Sequence, residues 1–140
     1  MWRRAWVTGM VGIIYLASCG CQSLEKQALE PLPADGPPLA YSELVERARR
    51  QVWAAQEIFY RDNWEELIKA SDALHETGQR LAQFSAERVP ARCREVWPKP
   101  VEEFRQAVLK LRESARQHDA IQSANAFQTL HLVLKQIRPD

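Results

Sequence analysis

The chain lacks a surplus of charge of either sign. Nineteen lysine and arginine residues are balanced by eighteen aspartate and glutamate residues in a sequence of 140. Sequence-independent nucleic-acid binding needs a strongly cationic surface, so this balance argues against a nucleic-acid partner. Five glycines and eight prolines exclude a collagen-like or low-complexity chain, and three cysteines are too few for a disulfide framework. A packed core in a single domain must therefore hold the chain together.

The apolar stretch near the N-terminus lacks the length of a membrane-spanning helix. It runs from Ala5 to Leu16, whereas a helix that crosses a bilayer needs roughly 20 residues. Arg3 and Arg4 precede this stretch, and small residues follow it before Cys19. A basic start, a short apolar stretch and a small-residue cleavage region are typical of an export signal. A retained transmembrane anchor is the alternative.

The end of this stretch, Leu16-Ala17-Ser18-Cys19, resembles the lipobox of bacterial lipoproteins. The resemblance implies that residues 1–18 are a signal peptide that is removed. Cys19 would then carry a diacylglyceryl group on its sulfur and an acyl chain such as palmitate on its amine. Each buried CH2 contributes about 0.8 kcal/mol, so several chains attach a protein durably to a membrane. The alternative is an ordinary secretory signal in which Cys19 has no special role.

The same resemblance predicts the location of the mature protein. Gly20 follows the cysteine, where an aspartate would resemble the inner-membrane retention signal of enteric bacteria. We therefore expect a lipid-anchored protein of the bacterial cell envelope, held at the outer membrane and facing the periplasm. Its first partner would be the membrane itself, through the acylated Cys19.

Residues 19–40 are predicted to be the acylated cysteine and a flexible tether. Pro31, Pro33, Gly36, Pro37 and Pro38 fall in this segment, and proline neither continues a helix nor pairs in a strand ladder. The folded domain is expected to begin near residue 41 and to reach the end of the chain at 140.

The two remaining cysteines, Cys21 and Cys93, lie in this tether and in the folded domain. Outside the cytoplasm a disulfide between them is chemically permitted, and two unpaired thiols are the alternative. The sequence alone does not establish the geometry that such a bridge requires.

Four stretches of the domain place apolar residues three and four positions apart, the spacing of one helix face. They cover residues 42–60, from 63 to about 86, from 100 to about 115, and from 119 to about 137. The predicted caps are Ser42, Asp62 and Asp119, because a short side-chain oxygen accepts a hydrogen bond from the free amides of a helix start. Pro100 fits the first turn of the third helix, where a missing amide costs nothing.

These helices predict an all-α domain, an antiparallel four-helix bundle made of two hairpins. A proline-bracketed crossover joins the hairpins, and strand signals are absent. The hairpins also echo each other, since Asp62 and Asp119 begin corresponding helices after similar turns. Five aromatic side chains are available to fill the core: Trp53, Phe59, Trp64, Phe104 and Phe127.

The layout over residues 42–138 resembles the cytochrome c′ family of haem-bearing four-helix bundles. In that family the last helix carries C-x-x-C-H, and alignment on Arg138 puts Leu130, Val133 and Leu134 at the two cysteine positions and the histidine position. Aliphatic side chains neither form thioethers nor bind iron. The resemblance therefore implies a cofactor-free bundle without redox activity, and it allows a homodimer through helix faces. An unrelated bundle with the same generic pattern is the alternative.

Two histidines, His75 and His131, are the candidate ligands for a noncovalent haem or a metal ion. Packing or hydrogen bonding is the alternative role for each imidazole. Asp72-Ala-Leu-His75 imitates half of a di-iron motif, but Gln128 stands where the partner helix would need an acid. The sequence therefore predicts no metal centre.

The sequence predicts no enzyme, because it contains no nucleophile elbow, phosphate-binding glycine loop or zinc-ligand spacing. Arg88, Arg92, Arg94 and Trp97 in the crossover are a candidate basic-aromatic patch for lipid headgroups or an envelope protein. Glu87 and Glu95 dilute its charge, and an ordinary polar loop is the alternative. We expect a non-enzymatic binding or structural role in the envelope, with an unidentified envelope protein as partner. The alternative is a small-ligand carrier that holds noncovalent haem, metal or lipid in the bundle core.

Overall fold

The computed structural model describes residues 22–138, and this part of the chain is all-helical, as predicted. No strand occurs between Gln22 and Arg138. The α-helices are α1 (Gln22–Leu29), α2 (Tyr41–Tyr60), α3 (Trp64–Leu81), α4 (Ala91–Arg94), α5 (Lys99–Arg116) and α6 (Ala120–Ile137). A 3-10 turn at Ala86–Arg88 precedes α4 in the crossover.

The four long helices, α2, α3, α5 and α6, share one hydrophobic core. Each presents a stripe of apolar residues at helical spacing, so that one face is buried while the other carries charged side chains. Phe104, Leu67, Leu74, Leu111 and Leu130 are among the fully buried side chains. Each such side chain stabilises the fold by about 1.5–3 kcal/mol through its removal from water.

Two buried hydrogen bonds connect the start and the middle of α2 to other helices. The Tyr41 hydroxyl at its start donates to the carbonyl of Ile137, the last residue of α6, at 2.6 Å. Near its middle, the buried Gln51 accepts at Oε1 from the Thr77 hydroxyl of α3 at 2.8 Å. Both bonds satisfy polar groups inside the core, where an unpaired group would be costly.

The predicted cap of α6 is confirmed, and the predicted cap of α3 is wrong by one residue. Asp119 Oδ1 accepts from the Gln122 amide at 2.9 Å. In α3 the cap is Asn63, whose side chain accepts from the Glu66 amide at 3.2 Å. Asp62 instead adopts the left-handed conformation, with φ of 56°, which aspartate tolerates better than most residues. Asn63, the next residue, is therefore the N-cap of α3.

The start of α2 also differs from the prediction. The helix begins at Tyr41, preceded by Ala40, so Ser42 lies inside it rather than capping it. The Glu43 carboxylate accepts from the Ala40 amide at 2.8 Å. A side chain within the first turn thus satisfies one free amide without a polar cap residue.

The two hairpins, α2–α3 and α5–α6, repeat at an offset of 56 positions (119 − 63). Helices α3 and α6 begin and end at corresponding residues, and α2 and α5 end at corresponding residues. His118, in the turn before α6, has φ of 54° and corresponds to Asp62. The structure therefore corrects the sequence alignment of the hairpins, which paired Asp62 with Asp119.

Burial follows the same offset. Every buried residue of α3 has a buried counterpart 56 positions later in α6. The pairs are Leu67 and Ser123, Ala70 and Ala126, Ser71 and Phe127, Leu74 and Leu130, Thr77 and Val133, Gly78 and Leu134, Leu81 and Ile137. The two hairpins thus turn the same faces inward although few of the paired side chains are alike.

The segment predicted to be a flexible tether contains α1, so that prediction does not hold for Gln22–Leu29. Ala28 is buried, and its carbonyl accepts from Gln51 Nε2 at 2.9 Å. Leu32 and Leu39 from the proline-containing stretch also pack against the core. The prolines begin only after α1, and the buried Gln51 amide needs the acceptor that α1 supplies.

Core filling differs from the prediction at one of the five aromatic residues. Phe104 and Phe127 are buried, and Phe59 and Trp64 pack partly buried against the core. Trp53 lies on the surface with 59% of its area exposed. Its position on α2 is one residue past the buried Val52, which puts the indole at the edge of the helix face.

Candidate functional site

The predicted lipid-attachment residue and one predicted disulfide partner lie outside the described residues. These are Cys19 and Cys21, so acylation and the disulfide remain predictions. Cys93, in α4, is buried, and its Sγ lies 3.4 Å from the Gln136 carbonyl. A bridge to Cys21 would therefore have to form beside the end of α6.

The positions aligned with the haem-attachment motif hold buried aliphatic side chains. Leu130, Val133 and Leu134 on α6 all belong to the common core. None of them offers a sulfur for a thioether or a nitrogen for iron, so these residues do not fit a covalently attached haem. Their neighbour Phe127 contacts Phe59 with ring centroids 5.6 Å apart.

The two candidate ligand histidines occupy corresponding positions of the hairpins, 56 residues apart (131 − 75) on α3 and α6. Each imidazole has a glutamine partner. His75 Nε2 lies 3.0 Å from Gln79 Nε2, and His131 Nε2 lies 2.8 Å from Gln56 Oε1. Among residues 22–138, no group of three histidine, cysteine, aspartate or glutamate side chains is placed to hold a metal ion.

His131 belongs to a polar chain on the surface between α2 and α6. Gln56 accepts from His131 through Oε1 and donates through Nε2 to the Tyr60 hydroxyl at 2.8 Å. Trp53 packs edge-on against the imidazole, with ring centroids 5.5 Å apart. Burial, with a smaller contribution from the Lys135 ammonium, lowers the pKa of His131 below its usual value. The neutral imidazole that results can donate from Nε2 to Gln56.

The end of the bundle that holds the two hairpin turns, 60–64 and 116–120, carries exposed aromatic and aliphatic side chains. We call it the turn end. Trp64 and His118 stack across it, with ring centroids 5.2 Å apart and an interplanar angle of 8°. Tyr60 is 68% exposed and Ile121 is 74% exposed. Sequence reasoning placed none of these residues in a surface site, because the turns were read only for their caps.

The opposite end holds the crossover and the predicted basic-aromatic patch, and we call it the crossover end. Trp97 is partly buried, and its indole N–H donates to the Phe84 carbonyl at 2.8 Å. The Arg88 guanidinium lies over the Phe84 ring, 5.4 Å from its centroid. Arg92 and Arg94 both donate to backbone carbonyls at this end. The structure thus leaves the arginines at the surface but turns Trp97 toward the core.

A groove of about 540 Å³ lies where α1 meets α2 and α3. Ala54, Ile58 and Ala70 form its apolar floor, while Lys26 and Lys69 stand at its edge with glutamates nearby. Its size falls in the range of small-molecule sites. Sequence reasoning missed this groove because it treated α1 as a tether. The available signal was Gln51, a long polar residue inside the apolar stripe of α2.

No family model, curated protein or solved structure matches this chain. None of the helices between Gln22 and Arg138 has the length and apolar character needed to cross a bilayer. The described residues form three candidate binding surfaces: the turn end, the crossover end and the groove beside α1.

Proposed function

We propose that the protein is a bacterial envelope lipoprotein whose helical bundle acts by binding or structural support, without a cofactor and without enzymatic activity. The lipobox Leu16-Ala17-Ser18-Cys19 supports this proposal. Residues 1–18 are then removed, and Cys19 holds the protein to the outer membrane on its periplasmic side. The membrane is one partner, and an envelope protein of unidentified nature is the other.

The finer fold that we propose is an antiparallel four-helix bundle of the cytochrome c′ type. Contacts between α2 and α6 support the antiparallel arrangement. Tyr41 bonds to Ile137, and Phe59 packs on Phe127, so that residue numbers rise along α2 as they fall along α6. The helices of each hairpin are joined by short turns, as in bundles of this type.

One observation carries the cofactor-free part of the proposal. The aliphatic side chains of Leu130, Val133 and Leu134 are packed into the core at the positions where the resembled family binds haem. Filling this space with hydrocarbon makes the bundle stable by itself, because close-packed interiors gain both hydrophobic and dispersion energy. The bundle then binds through its helical surface and has no redox centre.

The test uses mature protein purified from its native envelope. We expect no Soret absorbance, and a mass that corresponds to residues 19–140 with a diacylglyceryl group and an N-acyl chain. A Soret band would overturn the cofactor-free proposal. Replacing Cys19→Ser should release the protein from membranes, whereas continued tight membrane retention would overturn the acyl-anchor proposal.

A second candidate function, a carrier of a small amphiphilic ligand, is favoured by the groove beside α1. Its apolar floor and lysine-bearing edge suit a ligand with a hydrocarbon tail and an anionic head. This site lies beside the bundle, not in its core as the sequence suggested. Native mass spectrometry tests it: a bound small molecule that is lost in Ala70→Phe, a substitution that fills the groove, would favour the carrier. The exposed Ala124→Phe on α6 is the matched control.

A further inference from the structure

The direction of α1 determines which end of the bundle lies nearest to Cys19. The Ala28 carbonyl accepts from Gln51, and the Glu30 carbonyl accepts from Arg47, nearer the start of α2. Helix α1 therefore runs antiparallel to α2. The start of α1, at Gln22, is therefore on the side of the last residues of α2, which lie at the turn end.

Helix geometry converts this direction into distances. Gln22 precedes Ala28 by six residues, or about 9 Å along the helix axis, on the turn-end side of Gln51. Tyr41 lies ten residues from Gln51 in the opposite direction, so the crossover end is about 24 Å from the level of Gln22. Cys19 is three residues from Gln22 and can lie at most about 11 Å away. An acyl group on Cys19 would therefore meet the membrane on the turn-end side.

The turn end presents the side chains that a lipid interface favours. Tyr60 and Ile121 are mostly exposed, and Trp64 is partly exposed. Tyrosine and tryptophan rings are amphipathic and settle at the level of lipid headgroups. The stack of Trp64 on His118 and its edge contact with Phe59, at 5.8 Å between centroids, hold the ring in place. Little side-chain entropy is then lost on contact with the membrane.

Charge distinguishes the kind of lipid surface. Both signs occur at the turn end, where Arg61 and Arg116 lie near Asp62, Glu65 and Asp119. Such a mixture favours zwitterionic headgroups over a strongly anionic surface. In the crossover the arginines Arg88, Arg92 and Arg94 outnumber the glutamates Glu87 and Glu95, so the crossover end would be the one attracted by anionic lipid. The nearby covalent anchor favours the turn end, because it raises the local concentration of that end at the bilayer.

We propose that the turn end, through Tyr60, Trp64 and Ile121, rests on a zwitterionic lipid surface beside the acylated Cys19. This inference rests on the proposed lipoprotein function. It orients the molecule: the arginine-bearing crossover end faces away from the membrane, where an envelope partner can reach it.

Three tryptophans of the domain mark its length and serve as native depth probes. Trp64 lies at the turn end, Trp53 on the side and Trp97 at the crossover end. The experiment places the acylated mature chain on vesicles of phosphatidylethanolamine and phosphatidylcholine that contain brominated lipids. Single-tryptophan variants are made by Trp→Phe substitution and checked by circular dichroism. We expect quenching of Trp64 to exceed that of Trp97 by about twofold or more. Equal quenching, or stronger quenching of Trp97, would overturn the orientation.

A measurement on the unsubstituted chain keeps the test independent of those variants. Oxidative footprinting of the acylated protein, with and without vesicles, should show protection of Tyr60 and no protection of Trp53, which is also largely exposed. Protection of Trp53 with Tyr60 left reactive would contradict the proposal.

Charged substitutions test the contact itself. Ile121→Glu should reduce quenching of Trp64, because a carboxylate is costly to bring into the lipid interface. Leu132→Glu is the matched control, since Leu132 is 55% exposed on the same helix but about 16 Å farther from the turn end. Equal effects of the two substitutions would overturn the role of the turn end.

Failure of the orientation and failure of the anchor give different results. Sedimentation with vesicles reports the anchor. If the acylated chain sediments but Trp64 is not quenched, only the orientation is wrong. If the Cys19→Ser chain sediments as well as the acylated chain, the lipoprotein function itself is wrong.

Discussion

The two hairpins share a backbone register but differ in how they fill it. Phe104 on α5 is fully buried, and Gly78 on α3 makes room for it, since a Cβ on Gly78 would lie 3.2 Å from the Phe104 ring. The corresponding positions in the repeat are reversed in size, with Ala48 in place of Phe104 and Leu134 in place of Gly78. One register therefore admits opposite distributions of side-chain volume, provided that each large residue is matched by a small one.

The surfaces of the hairpins diverge further than their cores. Aromatic residues of the first hairpin correspond to small, aliphatic or charged residues of the second. The pairs are Trp53 and Leu109, Tyr60 and Arg116, Trp64 and Ala120. Only the first hairpin is covered by α1, and for this reason Ala54 is buried where Lys110 of the second hairpin is exposed. Exposed aromatic rings, those of Trp53 and Tyr60, therefore occur on the helices of the first hairpin, whereas Phe104 and Phe127 of the second are buried.

The largest predicted effect tests the size exchange between Gly78 and Phe104. Phe104→Ala should lower the free energy of unfolding by about 3–5 kcal/mol, because it leaves a cavity in the core. Adding Gly78→Leu reproduces the residues at the corresponding positions of the repeat, Leu134 and Ala48, and should recover about 1 kcal/mol or more. Urea denaturation of the three proteins measures both changes. A double variant less stable than Phe104→Ala would show that the hairpins are not equivalent in packing.

The next effect concerns the polar link that only the first hairpin has. Gln51 joins Ala28 of α1 to Thr77 of α3, whereas its counterpart is Ala107. Gln51→Ala should cost about 1–3 kcal/mol, since the buried Ala28 carbonyl loses its donor. Hydrogen exchange should quicken in α1 more than in α6. The exposed Gln128→Ala is the matched control, and unchanged protection of α1 in Gln51→Ala would contradict the link.

Each hairpin has one side-chain cap, so we expect removal of either cap to lower the free energy of unfolding by the same amount. Asn63→Ala and Asp119→Ala each remove a side chain that accepts from a helix-start amide. Each should lower the free energy of unfolding by about 1 kcal/mol. Thermal denaturation gives the two values, with the mid-helix Asn125→Ala as the control that should cost nothing. Unequal costs for the caps would show that the turns differ beyond their shared backbone.

The smallest effect concerns the polar chain of His131, Gln56 and Tyr60 between α2 and α6, and it depends on pH. The pKa of His131 is lower in the folded protein than in the unfolded chain, so near pH 6 the unfolded chain binds more protons. Stability should therefore fall as the pH decreases through the pKa of an unfolded histidine, and His131→Gln should weaken this dependence. Urea unfolding at several pH values measures it. His118→Gln is the control, and an equal loss of pH dependence there would contradict the role of His131.

Local sequence signals predicted the helices well because their causes lie within a few residues. Apolar spacing revealed the four long helices, and Asp119 was recognised as a cap three residues before Gln122. The error at Asp62 has a local cause too. Asp62 and Asn63 are both good cap residues, and only the turn conformation, with Asp62 at positive φ, decides between them.

The candidate sites were harder to predict because they depend on contacts between distant segments. The groove forms where α1 packs beside α2 and α3. One contact that holds α1 there is the hydrogen bond from Gln51 to the Ala28 carbonyl, 23 positions earlier in the chain. Trp97 looked like a surface partner of the nearby arginines, yet its indole bonds to the Phe84 carbonyl. Gln51 in the apolar stripe of α2 indicates that a polar partner is needed, but neither spacing nor composition says which residue supplies it.

The sequence by itself determined the helical class and the approximate helix bounds, because periodicity and caps act over short distances along the chain. Tertiary structure alone decided the register of the two hairpins, the folding back of α1 and the end of the bundle on which Tyr60 and Ile121 are exposed. These features arise from burial and hydrogen bonding between residues far apart in sequence, and such interactions are defined only once the helices pack.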